Sequence, residues 1–416
     1  VRSLIYQPVL ATIITGTQSA LFGGDKLMTT ETVPEDRARS RPAAKKQWAP
    51  RIWEGCDFFV WLRLLARNRF AVHWPYLYIA VIITFVSFIH TILRWIQQAI
   101  YGHKIARTEI REAPIFIIGH WRTGTTYLHE LLILDERHGF PTTYECFEPN
   151  HFLLTERFFA RWLRFLMPSR RPMDNMRAGW ERPQEDEFAL CLLGQPSPYL
   201  TIAFPNRAVQ FPEYLDLEGI SPSALASWKS GFFRYLQTLT YRKAKRLILK
   251  SPAHSCRIRV LLELFPEARF IHIVRDPYVV FPSTVNLWKS LYGSHGLQRP
   301  NYLGLEEQVF VTFNRLYERL EEGRELVDPS RFFELRYEDL VRDPVGQMRS
   351  LYAHLDLGRF EEYLPRLEAF LAGTAGYETN RYALPSETSN EITKRWGDVI
   401  RRYGYPLEES QNGKSD

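Results

Sequence analysis

Cysteine is scarce in this chain: four residues in 416, Cys56, Cys146, Cys191 and Cys256, set far apart. None has the spacing of paired metal ligands, which excludes a cysteine zinc framework and a disulfide scaffold and makes a reducing compartment the expectation. No Asn-X-Ser/Thr sequon occurs anywhere, which speaks against a secretory lumen. Val1 to Leu27 does not read as a signal peptide, because it has one early Arg, no sustained apolar core, and Gly23-Gly24. Charge is absent from one long stretch: Phe70 to Leu93 contains no Asp, Glu, Lys or Arg. A lysine is missing as well from the one glycine-bearing loop where nucleotide hydrolases need it.

The chain begins at Val1, and Met28 opens a polar stretch from Thr29 to Lys46. Residues 1–50 therefore read as a disordered leader, with translation expected to start at Met28 and residues 1–27 not translated. The formal net charge is +6 and the pI about 9.0, a balance that suits an anionic cofactor or an anionic membrane surface. Nucleic acid is not among the expected partners.

Residues 51–106 form an apolar helical segment. Phe58, Phe59, Trp61, Leu62, Leu64 and Leu65 precede the uncharged run, which is about as long as the ~20 residues that span a bilayer. His73, Pro75, Ser87 and His90 interrupt it, and Trp61, Trp74, Tyr76, Tyr78 and Trp95 resemble interfacial anchors. Three readings fit: an interfacial helical hairpin, a true span, or a buried helix. Basic residues flank both sides, so the positive-inside rule assigns no orientation.

The rest of the chain, residues 107–416, is organised around Pro114 to Leu132. Ile115-Phe116-Ile117-Ile118 is a short apolar run of the kind covered on both faces of a sheet. Gly119-His120-Trp121-Arg122-Thr123-Gly124-Thr125-Thr126 follows, and Tyr127, Leu128, Leu131 and Leu132 recur at helical spacing. A loop that opens a helix offers unpaired N–H groups and the positive end of the helix dipole, which together bind phosphate. The phosphate loop of kinases and hydrolases requires Gly-Lys-Ser/Thr at its end. Here Thr125 follows Gly124, and the cation comes earlier as Arg122.

Thr142 to Phe147 alternates weakly and is expected to form the second strand. Arg246 to Lys250 is a strand ending in a cation, followed by a helix from Ser255 to Phe265. Arg269 to Val274 is the next strand, closed by Arg275-Asp276-Pro277 and a helix carrying Val280, Ser283, Thr284 and Leu287. This alternation predicts an α/β fold, a doubly wound parallel sheet with a phosphate-binding loop. Ligands of such sheets bind beyond the carboxyl ends of the strands, where Arg122, Lys250 and Arg275 all fall.

Arg122-Thr123-Gly124-Thr125-Thr126 resembles the Lys/Arg-Ser/Thr-Gly-Thr-Thr loop of the sulfotransferases that use 3'-phosphoadenosine-5'-phosphosulfate (PAPS). Lys250-Ser251-Pro252-Ala253 is similar to the Lys-Thr-Pro-Ala of glycosaminoglycan sulfotransferases. The eight-residue step from Arg275 to Ser283 matches the family's Arg and Ser on the 3'-phosphate. Leu335 to Leu340 resembles its late strand-loop, whose Tyr, here Tyr337, lies near the adenine. Tyr127 stands where cytosolic members carry a Trp. The resemblance runs from about Ala113 to Tyr405. It implies that Arg122, Thr123, Gly124, Thr125, Thr126, Tyr127, Arg275, Ser283 and Tyr337 hold the nucleotide. No metal is expected, because the acidic ligands that surround a nucleotide's Mg²⁺ are not apparent near the loop. Arg395, in a loose echo of the family's Arg-Lys-Gly loop, joins the nucleotide-holding residues on the 3'-phosphate.

Sulfuryl transfer needs charge stabilised on the leaving phosphate oxygen, the expected task of Arg122 and Lys250. It also needs a base for the acceptor's proton. The cytosolic enzymes' Lys-Thr-His is absent, so their His base does not carry over. Glu145 is the first candidate, with His254, Glu185 and Glu187 as rivals. A kinase or hydrolase and an inactive membrane scaffold of the same fold are the alternative readings. The acceptor expected is a hydroxyl, on a lipid-like molecule if residues 51–106 lie at a membrane, with the protein at the cytoplasmic face.

Overall fold

The computed structural model describes residues 51–162, 179–374 and 384–408. The leader at 1–50, with the Met28 start, lies outside the described residues. Gln47–Asp416 forms one compact unit.

Its centre is a parallel sheet of β1 (Ile115–Ile118), β2 (His138–Gly139), β3 (Arg246–Lys250), β4 (Arg269–Val274) and β5 (Phe332–Arg336), in the order β2-β3-β1-β4-β5. β1 lies between β3 and β4, with Ile117 opposite Lys250 on one side and Ile271 on the other. Successive side chains of a strand point to opposite faces. Ile115 and Ile117 join Ile271, Ile273 and Leu335 against the helices Thr125–Leu132 and Pro344–His354. Phe116 and Ile118 join Leu249 and Phe270 on the other face, under the helices Pro222–Lys243 and Leu305–Arg324. Both faces are covered, which is why β1 can be wholly apolar. From β1 the chain runs to one edge and later crosses to the other, so a crevice opens at the carboxyl end of β1.

The second strand is not where the sequence pattern puts it. Thr143–Phe147 is a short helix, and the strand is the two-residue β2 before it. Thr142 caps that helix by accepting from the Glu145 amide, while Glu145 accepts from the Thr142 amide. Thr-x-x-Glu is a capping box, and this local pairing outweighs a weak alternation.

The segment 51–106 folds as the helix Phe58–Arg67, a turn at Trp74–Tyr76, and the 30-residue helix Leu77–Ala106. Trp53 and Trp61 are fully buried in the main core. The Trp53 indole donates to the His295 carbonyl at 2.8 Å, and Asn68 donates to Gln210 at 3.1 Å. The long helix has an inverted pattern. Its buried positions include the small or polar Ala80, Ser87, Thr91, Gln97 and Gly102. Its exposed positions include Val81, Phe85, Phe88, Ile92, Trp95 and Ile96. An ordinary surface helix does the opposite, hiding apolar residues and exposing polar ones. Among the described residues, Trp74–Ala106 is the one helix long and apolar enough to cross a bilayer.

Candidate active site

The loop after β1 turns sharply into the helix Thr125–Leu132. Gly119 has φ +146° and a Cβ there would lie 2.5 Å from the Ile273 carbonyl. Gly124 has φ +101°, and its Cβ would lie 2.2 Å from the Tyr337 ring. Glycine at both positions is therefore a steric requirement. Thr123 is buried and donates to the His120 carbonyl at 2.8 Å, fixing the turn from inside. Ser255 clamps the start of the loop by accepting from the Gly119 amide at 2.8 Å. Thr125, Thr126 and Tyr127 form the first helical turn, whose amides have no intrahelical acceptor.

Around this loop the structure brings together residues far apart in sequence. Arg122, held at φ +71°, donates from Nε to Ser283 Oγ at 2.8 Å. Arg275 donates to the Arg122 carbonyl at 3.2 Å, and its guanidinium lies over the Tyr337 ring at 4.3 Å. Tyr127 meets Tyr337 edge-on at 6.5 Å. Two cations, a hydroxyl, a helix start and two aromatic rings form a cradle that a Cβ at Gly124 would disturb. This chemistry fits a phosphorylated nucleotide.

Lys250 ends β3 beside the loop. Its Nζ is 2.9 Å from Glu185 Oε1, and the Glu185 side chain keeps 14% of its surface exposed against 1% for Lys250. Glu185 also accepts from the Tyr199 hydroxyl at 2.6 Å, and Tyr199 accepts from the Trp121 indole at 2.8 Å. Burial, together with the Glu185 carboxylate, pushes the Tyr199 phenol well above its ordinary value, so it stays a donor. Glu185 stands at the N-cap position of the helix Asp186–Leu192 without a side-chain capping bond, and the next two acids find partners at the β3 end as well. Asp186 lies 2.7 Å from His254 Nε2 and accepts from Ser251. Burial opposes ionisation of Asp186, yet the His254 charge and these hydrogen bonds bring its carboxyl below the usual range. Glu187 receives both Arg257 amino groups, at 2.6 and 3.0 Å, in a fully buried pair. Behind this row, burial and then the Lys250 ammonium lower His129 to about 3, so it is neutral at physiological pH.

Three expected site residues are engaged elsewhere. Glu145 is fully buried, holds its capping box, and pairs with Lys243 Nζ at 2.9 Å. Burial raises its carboxyl, with Lys243 opposing the rise. Its carboxylate is committed to the helix Pro222–Lys243, not to the crevice. His254 is fully buried, sandwiched between Asp186 and the rings of Phe116 and Phe232. Arg395 sits on the helix Ser386–Arg402 and pairs with Glu307, its Nη2 at 2.7 Å, over the Phe310 ring. Of the acids named as rivals, Glu187 serves the Arg257 pair and Glu185 alone meets Lys250. Trp121 and Tyr199 complete the site without having been marked by the sequence. Tyr199 follows Pro196-Ser197-Pro198, a turn signal that says nothing about a partner 78 residues away.

The chain matches the sulfotransferase family over residues 114–362. It is 55% identical over 369 residues to the omega-hydroxy-beta-dihydromenaquinone-9 sulfotransferase of Mycobacterium bovis, covering 89% of this chain and 95% of that one. The protein of the same name from Mycobacterium tuberculosis gives the same figures. Among solved structures, the sulfotransferase STF9 of Mycobacterium avium superposes with a TM-score of 0.60 at 23% identity, covering 76% of this chain and 82% of that one. STF1 of Mycobacterium tuberculosis superposes at 0.55 with 19% identity, covering 82% and 90%. At those identities the two structures speak for the fold alone.

Proposed function

The chain belongs to the sulfotransferase family and is an enzyme, and from that premise we propose that it transfers a sulfuryl group from PAPS to the terminal hydroxyl of a quinone-type polyprenyl lipid. The observation that carries the acceptor is the 55% identity over nearly the whole length of a relative named for a hydroxylated dihydromenaquinone. The outward apolar face of Leu77–Ala106 supports it, because such an acceptor lives in a bilayer.

The donor, when bound, supplies an activated sulfuryl group and a nucleotide leaving group. Arg275 and Ser283 would hold its 3'-phosphate, with Arg122 bridging to the loop. The first-turn amides with Thr123, Thr125 and Thr126 would take the 5'-phosphate, and Tyr127 and Tyr337 would flank the adenine. Lys250 shares its charge with Glu185. An anion arriving at the loop competes for that ammonium and releases the carboxylate, which then accepts the proton of the acceptor hydroxyl. Tyr199 keeps the carboxylate aimed during this exchange.

Arg275→Ala is expected to weaken binding of the desulfated nucleotide, 3'-phosphoadenosine-5'-phosphate, by about 1.5–3 kcal/mol, roughly 10- to 150-fold. Calorimetric titration showing wild-type affinity would remove Arg275 from the phosphate.

The long helix lies in the membrane surface in this reading and does not cross it, since the catalytic domain packs along its inner face. Gln97 donates to the Asn150 carbonyl, and Arg234 donates to the Gly102 carbonyl. Its placement at the cytoplasmic face accords with four free, buried cysteines. Deleting the segment would remove Trp53 and Trp61 from the core, so the test uses the outer face. Val81→Lys, Phe85→Glu and Trp95→Glu combined should abolish flotation with anionic vesicles while leaving nucleotide binding intact. If wild-type protein fails to float, the membrane placement is wrong. The acceptor itself is tested with 35S-labelled PAPS and omega-hydroxy-beta-dihydromenaquinone-9 in vesicles. Label in the lipid fraction supports the reading. Label found only in short soluble alcohols would overturn the lipid acceptor and leave the family intact.

A further inference from the structure

Three metal-ligating side chains converge where the apolar helix meets the catalytic domain, and they share no residue with the nucleotide crevice. His90 comes from the helix Leu77–Ala106, while Glu148 and His151 follow the helix Thr143–Phe147. His151 Nε2 lies 3.2 Å from Glu148 Oε2, and His90 Nδ1 lies 3.6 Å from the same oxygen. All three ligand atoms fall within 4.8 Å of one another.

The surrounding hydrogen bonds decide which ring nitrogens carry protons. Thr155 Oγ1 gives its one proton to the His151 carbonyl, at 3.0 Å, and accepts from the Tyr144 hydroxyl at 2.9 Å. Its remaining lone pair can only accept from His151 Nδ1, 2.9 Å away. Neutral His151 therefore carries its proton on Nδ1 and turns a lone pair at Nε2 toward Glu148. The His90 ring bonds the Glu54 backbone, and its Nδ1 is left over. His90 Nδ1, Glu148 Oε2 and His151 Nε2 are all buried atoms without a hydrogen-bond partner, and the His151 residue is 3% exposed. Three acceptors facing one another repel unless a positive charge lies between them.

The spacing suits an ion. Ligands at about 2.0–2.1 Å in tetrahedral array lie roughly 3.4 Å apart, between the two observed separations. Two imidazoles and one carboxylate match zinc and its first-row neighbours, and the nitrogen ligands disfavour magnesium and calcium. Thr155 supplies the partner on the far ring nitrogen that metal-bound histidines ordinarily have. We propose that His90, Glu148 and His151 bind a divalent transition-metal ion, zinc by ligand chemistry, which fastens the apolar helix to the catalytic domain. The fourth position is left to water.

The test uses full-length protein in detergent, stripped with chelator and titrated with Co²⁺. Wild type should bind one cobalt per chain with the visible bands of a tetrahedral site, and Zn²⁺ should displace it. His90→Ala and His151→Ala should lose that spectrum while still binding 3'-phosphoadenosine-5'-phosphate, the check that they fold. Thr155→Val keeps all three ligands and should weaken the ion about 10- to 100-fold. Should the alanine variants fail to fold, wild type alone remains decisive, because Zn²⁺ must then raise its melting temperature. The rival arrangement is a protonated His151 in a plain ion pair with Glu148. It predicts no stoichiometric cobalt, no spectrum and no zinc-dependent rise in melting temperature, and that result overturns the proposal. Cobalt bound equally well by a His90→Ala, His151→Ala double variant would overturn it too.

Discussion

Lys250→Ala should lower kcat about 10²- to 10³-fold while changing affinity for 3'-phosphoadenosine-5'-phosphate only a few-fold. The ammonium is almost completely buried at the end of β3, and its one hydrogen-bond partner among the described residues is Glu185. In the proposed arrangement Arg122 and Arg275 hold the phosphates of the desulfated nucleotide, so the ammonium is expected to add little to the binding of that product. Its largest effect is expected where charge builds on the departing oxygen, in the transition state. Removing it also leaves the Glu185 carboxylate beside Tyr199 with no cation. Single-turnover kinetics separate these effects from binding. A loss confined to affinity, with the rate at saturation intact, would make Lys250 a binding residue.

The second large effect distinguishes two glutamates that the sequence ranks the other way round. Glu185→Gln is expected to cost about 10²- to 10⁴-fold in kcat, the range for loss of a positioned general base. The amide keeps the shape and can still accept from Tyr199, so the fold should survive. Glu145→Gln should act on stability instead. It breaks a pair with Lys243, whose side chain is 18% exposed, and a loss of roughly 1–3 kcal/mol follows for a charge-assisted bond of this kind. Its kcat should stay within a few-fold of wild type. Urea denaturation and saturating-substrate rates on both variants give four numbers. A rate collapse in Glu145→Gln with a near-normal Glu185→Gln would reverse the assignment of the base.

What the sequence determines here is whatever depends on neighbours along the chain. Gly119 and Gly124, the strand before them and the helix after them are legible because each follows from local backbone chemistry. So is the placement of Arg122, Lys250 and Arg275, since parallel strands all end on the same side of a sheet. The uncharged, apolar run from Phe70 to Leu93 is equally plain.

The tertiary structure alone decided which acid meets Lys250. Glu145, Glu185, Asp186 and Glu187 are acids whose partners a one-dimensional reading cannot assign. Only docking of the helix Asp186–Leu192 on the end of β3 sorts them, giving Glu185 to Lys250, Asp186 to His254 and Glu187 to Arg257. The Arg395 pair is hidden from the sequence for the same reason: its partner, Glu307, lies 88 residues earlier and on another helix. The inversion of the long helix is likewise invisible until its inner face is known, because Ala80, Ser87 and Thr91 are buried only by what packs on them. Local propensity acts over a few residues, whereas a buried charge takes whichever partner the fold brings within about 3 Å.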